Sequence, residues 1–395
     1  MPSSPVLPGI SPSHRRPQPP FRIQLMIDPS LAYFREATLG IRQYGFTSGR
    51  LDIIDRWLEH ERLDLAGLVR RDRVQGIITA CHRPHPEARL ARLGIPVVNV
   101  SNTMPNPRTT VVTQDDFEVG RLAAEHLGRS GCRQFAFWGQ TSGRYSMERL
   151  AGFKAGLKIV GGTLDVQEMP SRYGRREFLR ILRWLSRKPT PLGVFAVLDD
   201  FALLVLRAAR ELNWNVPDDV AVLGAGDDDF LVGFERTPLS SIQLPAKRIG
   251  YEAGAEIDRL IADPGAKQRT VRLEPLGINA RQSTDTIFVK DDAVVKAVRY
   301  IRSCATSSPY IEDVARASGI ARTTLQKRFQ AALGHTMLDE IQRVRIDVAK
   351  DLLRSSDLSL ELISERCGFS SSQRFSVLFR QQTGLPPNRF RRSMR

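Results

Sequence analysis

The chain has 395 residues, 42% hydrophobic and 26% charged, enough to build cores for two or three globular domains. Its net charge of +15 and pI near 10.2 point to a polyanionic partner. Four scattered cysteines without CxxC spacing (Cys81, Cys132, Cys304, Cys367), no apolar run of ~18 residues and no apolar leader argue against a zinc ribbon, a disulfide framework, a membrane span and secretion, so the expected location is the cytoplasm.

In chain order, residues 1–20 hold seven prolines and read as a disordered tail, because proline interrupts helices and sheet ladders alike. From Phe21 the pattern turns to short apolar runs alternating with helical stretches. Strands are predicted at "FRIQLMI" (21–27), "VQGIITA" (74–80), "IPVVNV" (95–100), "TTVVTQ" (109–114), "QFAFWG" (134–139), "LGVFAVLD" (192–199) and "VAVLGAG" (220–226). Helices are predicted over Leu31–Tyr44, Phe117–Leu127, Met147–Ile159 and Ala202–Leu212. Continuous apolar strands between helices indicate parallel sheets covered on both faces. About 260 residues of this pattern fit two doubly wound lobes better than one sheet, with a ligand cleft between them. The sensor-like unit therefore spans 21–282, a linker 283–290, and an all-helical unit 291–392.

The charge is concentrated in that last unit. From Phe288 to Arg395 there are 19 Lys and Arg against 11 Asp and Glu, whereas the other 287 residues hold 39 against 32. Within it a pattern of about fifty residues repeats. "IEDVARASGIARTTLQKRFQAALG" (311–334) matches "ISERCGFSSSQRFSVLFRQQTG" (363–384): Gly319 pairs with Gly368, Ile320 with Phe369, Leu325 with Phe375, Phe329 with Phe379 and Gly334 with Gly384. Each copy reads as a helix-turn-helix, over about 311–332 and 360–383, with glycine at the turn and the Leu and Phe residues as core. A recognition helix sends its first polar residues into the major groove. These are Arg322, Thr323, Gln326 and Lys327 in the first copy, and Ser371, Ser372, Gln373 and Arg374 in the second. Arg and Lys suit guanine and Gln suits adenine. Arg380, Arg328, Lys350 and the terminal "RFRRSMR" are candidate phosphate contacts. Between the copies, Leu338, Ile341, Val344, Val348 and Leu352 predict one apolar stripe on a long helix that fixes the spacing of the two modules.

"CGFSS", Phe375, Phe379, Gly384 and "PPNRFR" resemble, in order, the C-terminal signature of the AraC family of transcription regulators. Residues ~21–282 resemble the periplasmic-binding-protein-like (type I) sensor of the lac repressor class through "TQDDFEVGRLAAEHL", "ERLAGF", "VLDDFALLVLRAARELNWNVPDDVAVLG", "PLSSIQLPAKRIGYEA" and "ARQST". The combination, with the DNA-binding unit at the C-terminus, is similar to the xylose operon regulators.

That resemblance implies a non-enzymatic regulator without cofactor. Its partners would be a duplex DNA operator, a small-molecule sugar effector, a second copy of the chain and RNA polymerase. It implies sugar contacts from Arg149 and Asp199, with Tyr33, Arg35, Asp115 and Asp116 as further candidates. The family's aspartate after the "VxGx" pattern is Gly226 here, and Asp227 is the expected replacement; otherwise the effector is not a pentose. Helix capping is the competing role for each aspartate that precedes a helix. An enzyme reading rests on "ACHRP" (80–84), where Cys81 would act as a nucleophile accepting alkyl groups from DNA. A secreted sugar-binding protein is the other rival, and it leaves the paired helix-turn-helix units without a use.

Overall fold

The computed structural model describes residues 19–55, 64–129, 132–140, 143–168, 174–232, 237–285, 291–304 and 310–394. Most of the proline-rich tail and most of the 283–290 linker lie outside the described residues.

The first lobe opens with β1 (Phe21–Met26), α1 (Ala32–Ser48), β2 (Leu51–Asp55), α2 (Leu65–Arg71), β3 (Gly76–Thr79), α3 (Pro84–Ala91), β4 (Val97–Asn99) and β5 (Thr110–Gln114). The chain then crosses to a second lobe: α4 (Asp116–Arg129), β6 (Gln134–Gly139), α5 (Arg144–Val160), β7 (Thr163–Glu168), α6 (Arg175–Leu185), β8 (Leu192–Ala196), α7 (Asp199–Glu211), β9 (Val220–Gly226), α8 (Asp229–Val232) and β10 (Ser240–Gln243). It returns as α9 (Ala246–Ala262) and β11 (Thr270–Leu273), and crosses a third time to β12 (Gly277–Asn279). The sheet orders are β11-β5-β4-β3-β1-β2 and β12-β10-β9-β8-β6-β7, parallel throughout except for β12 against β10. Three crossings make a hinge, and the C-terminal ends of both sheets face the cleft, where ligands bind in such folds.

The predicted apolar strands all appear, β6 and β9 with the expected bounds and the others with ends shifted by one to three residues. Five others were not expected from the sequence: β2, β7, β10, β11 and β12. β7 is an edge strand with half-exposed, alternating residues. β10, "SSIQ", is polar yet central, and Ser240 and Ser241 are fully buried because they bond to the sensor's C-terminal tail and to Asp199.

The helical unit follows. It comprises α10 (Asp292–Ser303), α11 (Ile311–Ser318), α12 (Arg322–Leu333), α13 (Met337–Ser355), α14 (Leu360–Arg366), α15 (Ser372–Thr383) and α16 (Pro387–Met394). Gly319 ends α11 in the left-handed region at φ 75°, and Gly368 takes φ 72° at the matching turn. Each module has its own core: Leu325 and Phe329 in the first, Phe375 and Phe379 in the second.

The apolar stripe expected on α13 holds for Ile341 and Val344, which pack into the first module, and for Val348 and Leu352, which pack against the second, but not for Leu338. Leu338 is 46% exposed. Met337, Ile341 and Val344 pack into the first module, whereas Ile346, Ala349 and Leu353 are buried in the second. At about 100° per residue the second set is turned by about 150° from the first. The first module therefore grips one side of α13, and the second wraps from the opposite side round to Val348 and Leu352. Two edges stay outside these cores: one carries Glu340, Arg343 and Asp347, the other Leu338 and Arg345.

Candidate functional site

The cleft is built around two polar clusters beside the hinge. The first centres on Asp116, fully buried at the start of α4. Its carboxylate accepts from Asn102 Nδ2 at 2.7 Å, Gln114 Nε2 at 2.8 Å and Arg149 Nε at 2.8 Å. Burial pushes this carboxyl up, and Arg149 and the two amides pull it back. Arg149, 1% exposed, also donates through Nη1 to Val197 O at the end of β8. Its position on α5 depends on close helix packing: a Cβ on Gly120 would stand 1.9 Å from Arg149 O, and one on Gly152 would stand 1.8 Å from Phe117 O. The Tyr33 hydroxyl donates to Gln114 Oε1 at 3.0 Å, and burial holds its phenol protonated.

This cluster ties the lobes together. Asn102 Nδ2 also donates to Glu148 Oε2 at 2.9 Å, and Arg272 of β11 pairs with Glu148 of α5 at 2.8 Å. Burial would raise the Glu148 carboxyl, but Arg272, Asn102 and Arg144 outweigh it and pull it to about 2. Backbone bonds from Arg144 N to Thr103 O and from Tyr145 N to Asn102 O close the same edge.

The second cluster centres on Asp199 and Asp227. Asp199, 3% exposed, accepts from Ser241 Oγ at 2.6 Å and from the Asp228 N–H at 3.1 Å. Burial pushes its carboxyl up to about 7 against those two donors, and Asp227 adds to the rise. Asp227 adopts φ 54°. Its Oδ2 accepts from Gln243 at 2.9 Å and Asn279 at 3.3 Å, and its Oδ1 lies 2.7 Å from Arg281 Nη1. No donor among the described residues is aligned to hydrogen-bond this buried Oδ1. Gly226, at φ 138°, holds a backbone conformation that strains any side chain, and a Cβ there would stand 3.0 Å from Asp199 Oδ2, so the aspartate expected there is disfavoured.

The structure thus gathers Tyr33, Asp116 and Arg149 in one cluster and Asp199 and Asp227 in the other. Two expectations fall outside. Exposed Arg35 donates to Pro29 O and Ser30 O and closes the β1–α1 loop instead. Asp115 accepts from the Glu118 N–H and caps α4, the competing role. Arg281, Gln243, Asn279, Ser241, Asn102 and Gln114 were missed as site residues. Arg281 sits in "ARQST", which signalled the fold without signalling a contact. The Cys81 thiol is 1% exposed and burial raises it, the opposite of an activated thiolate.

On the DNA-binding side, Thr323, Gln326, Lys327, Gln373, Arg374 and Arg380 are exposed, and Ser372 is half-buried. Arg322 is exposed but pairs with Glu312 of α11. Ser371 is the N-cap of α15, accepting from the Arg374 N–H at 3.2 Å, so its hydroxyl serves the helix. The register that matches Leu325 with Phe375 and Phe329 with Phe379 sets Thr323 against Gln373 and Lys327 against Val377, which is 53% exposed. Lys350 pairs with Asp347 at 2.8 Å and Arg328 faces Asp291 at 3.5 Å, so neither guanidinium nor ammonium is unopposed. Sequence reasoning missed Arg345. It stacks 5.9 Å from the Phe369 ring centroid, and burial and neighbouring Arg374 both push its pKa down. Two cations with no carboxylate partner among the described residues suit a phosphate.

Among the described residues no helix is long and apolar enough to cross a membrane, and no group of His, Cys, Asp and Glu could hold a metal ion.

Comparison with known proteins matches residues 124–284 to a periplasmic binding protein-like domain and 314–393 to a helix-turn-helix domain. The chain is 28% identical to the xylose operon regulatory protein of Escherichia coli K12, covering 94% of this chain and 96% of that one. It is 26% identical to the protein of the same name from Haemophilus influenzae, covering 94% and 98%. The solved structure of the xylose-binding transcription activator xylR superposes with a TM-score of 0.61 at 27% identity, covering 94% and 97%. The chain belongs to the DNA-binding transcription regulators that join a periplasmic-binding-protein-like sensor to a C-terminal AraC-type helix-turn-helix domain, the architecture of the xylose operon regulatory proteins.

Proposed function

We propose that the cleft binds a neutral sugar, a pentose of the xylose type, and that its occupancy sets how a homodimer sits on its operator and recruits RNA polymerase. The observation that carries the sugar reading is the buried Asp227 Oδ1, an acceptor without a hydrogen bond beside a second buried carboxylate. A sugar hydroxyl is a donor that fits it, and Arg281 and Gln243 supply donors for ring and hydroxyl oxygens. A sugar acid fits less well, because its carboxylate would meet Asp199 and Asp227 in a site of low dielectric. No cofactor and no catalytic step enters this reading.

The cleft also has a short route to the DNA-binding unit. Arg281 pairs with Asp227, and its backbone is pinned to Ser240. Ser283 donates to Val222 O, and Thr284 donates to Ser240. The next residue, Asp285, pairs with Arg302 of α10 at 2.7 Å and lies 3.7 Å from Arg343 of α13. A ligand that moves Arg281 therefore acts on the helix holding both reading modules. It shifts that equilibrium by its difference in affinity for the two states.

A melting screen against pentoses, hexoses and their acids tests the sugar reading. A pentose at a hundred times its Kd should stabilise the sensor by about 2.7 kcal/mol and raise Tm by about 5–10 °C. No shift with any sugar would remove the assignment. For DNA, Lys327→Ala and Gln373→Ala are each expected to relax base preference at one position by about 1–3 kcal/mol, whereas Arg380→Ala should weaken all sequences alike and lower the salt slope by about 1. Equal effects of all three on operator and random duplex would count against the base contacts.

A further inference from the structure

α6 lies on the second lobe, away from both clusters. One face is core: Ile181 and Leu185 are buried, and Phe178, Leu182 and Trp184 pack beside them. The other face is arginine. Arg176, Arg180 and Arg183, with Arg187 in the turn that follows, are all exposed. Spacings of four, three and four keep them within a stripe about 60° wide and about 16 Å long.

The stripe is not neutralised. Several other arginines of the sensor do sit in ion pairs: Arg121 with Glu118 and Glu125, Arg259 and Arg269 with Glu256, Arg272 with Glu148. Among the described residues, the guanidinium groups of Arg176, Arg183 and Arg187 meet no carboxylate, and Arg180 donates to a backbone carbonyl, Glu168 O. Glu177 is the one acidic residue of α6. Like charges at helical spacing repel, so the stripe is relieved when an anion lies along it.

Topology places it near the DNA-binding unit. The loop after α6 leads into β8, whose Leu192 N–H bonds to Asp219 O just before β9. The adjacent Asp218 pairs with Arg299 of α10. The Arg187 end of the stripe therefore lies at the end of the second-lobe sheet to which the helix-turn-helix unit is joined, and α6 leads away from it.

We propose that this arginine stripe is a second DNA-binding surface, which holds the phosphate backbone of duplex flanking the operator. The proposal rests on the DNA-binding reading of the C-terminal unit. Duplex DNA carries one charge per ~1.7 Å, so a 16 Å stripe can engage three or four phosphates without regard to sequence. An acidic protein face is the less suited partner. Protein interfaces centre on buried aromatic or apolar anchors, and this stripe offers one half-exposed leucine, Leu179.

The test uses the full chain and an operator selected from random duplexes, presented as about 25 bp, enough for two adjacent grooves, and as about 70 bp with flanks. Wild type should bind the longer duplex more tightly, with a salt slope steeper by about 3. Arg176→Ala/Arg183→Ala/Arg187→Ala should abolish that difference while leaving the short duplex unaffected; the triple glutamate variant should make the flanks unfavourable. A slope difference of about 2.7 means that the wild-type advantage shrinks about 40-fold between 50 and 200 mM salt. Equal slopes for long and short duplex in wild type would overturn the proposal. So would variants that lose transcription in vitro while keeping the wild-type slopes, which would assign the stripe to a protein partner. Failure of wild type to bind the short duplex specifically would remove the DNA-binding reading, and this proposal with it.

Discussion

Glu340→Ala should destabilise the DNA-binding unit by about 2–4 kcal/mol at pH 7. Glu340 is 3% exposed and gathers Arg302 at 3.1 Å, Arg343 at 2.8 Å and His335 at 3.2 Å. Deleting it leaves those groups facing one another with Asp285 and Asp347 as the nearby acids. Part exposure of Arg343 and His335 keeps the loss below that of a fully buried pair. Burial alone would raise Glu340, but Arg343 and Arg302 overcome it and pull the carboxyl to about 2. Its folded pKa is thus below the unfolded value of about 4.3. The stability it adds is complete above that value and disappears as pH falls towards 2. Urea melts at pH 7 and at about pH 3 should show a large difference between wild type and Glu340→Ala at the first and a smaller one at the second. Equal differences at both would mean that the network adds nothing through charge.

Asp227→Ala should weaken effector binding about 10–100-fold, the effect of losing a charged hydrogen-bond acceptor. It also leaves Arg281, 17% exposed in its side chain, without that carboxylate. Gly226→Asp, which restores the residue expected from the resemblance, should not rescue binding. The backbone is at φ 138°, and the new Cβ would crowd Asp199 Oδ2, adding a like charge where Asp199 is already pushed up to about 7. A sugar hydroxyl donating to Asp199 favours its ionised form. Affinity should therefore rise with pH through about 7 in wild type and lose that dependence in Asp199→Asn. Titration calorimetry with the pentose that stabilises the protein checks all three. Unchanged affinity in Asp227→Ala would discard Asp227 as a contact.

The helix-turn-helix modules were legible because their signals are local. Glycine at a left-handed turn, Leu325 and Phe329 at spacing four, and the same pattern about fifty residues later are properties of neighbouring residues, and the chain carries them twice. The parallel lobes were legible for a related reason, since strands buried on both faces have to be apolar throughout. β10 was not, because "SSIQ" is polar and its burial depends on Asp199, Arg281 and Ser283, 40 or so residues away in sequence.

The sequence by itself determined the alternation of strands and helices in the sensor, the paired helix-turn-helix units and their order along the chain, all of which follow from periodicity and short motifs. Tertiary structure alone decided which charged groups share a site. It turned Asp115 into a cap and Arg35 into a loop clasp, and it brought Asp227 to Arg281 from 54 positions away. It also gave α13 two buried faces where periodicity suggested one. Ion pairs and hydrogen bonds between distant segments depend on angles and distances that only the folded chain sets, and no local pattern of residue types encodes them.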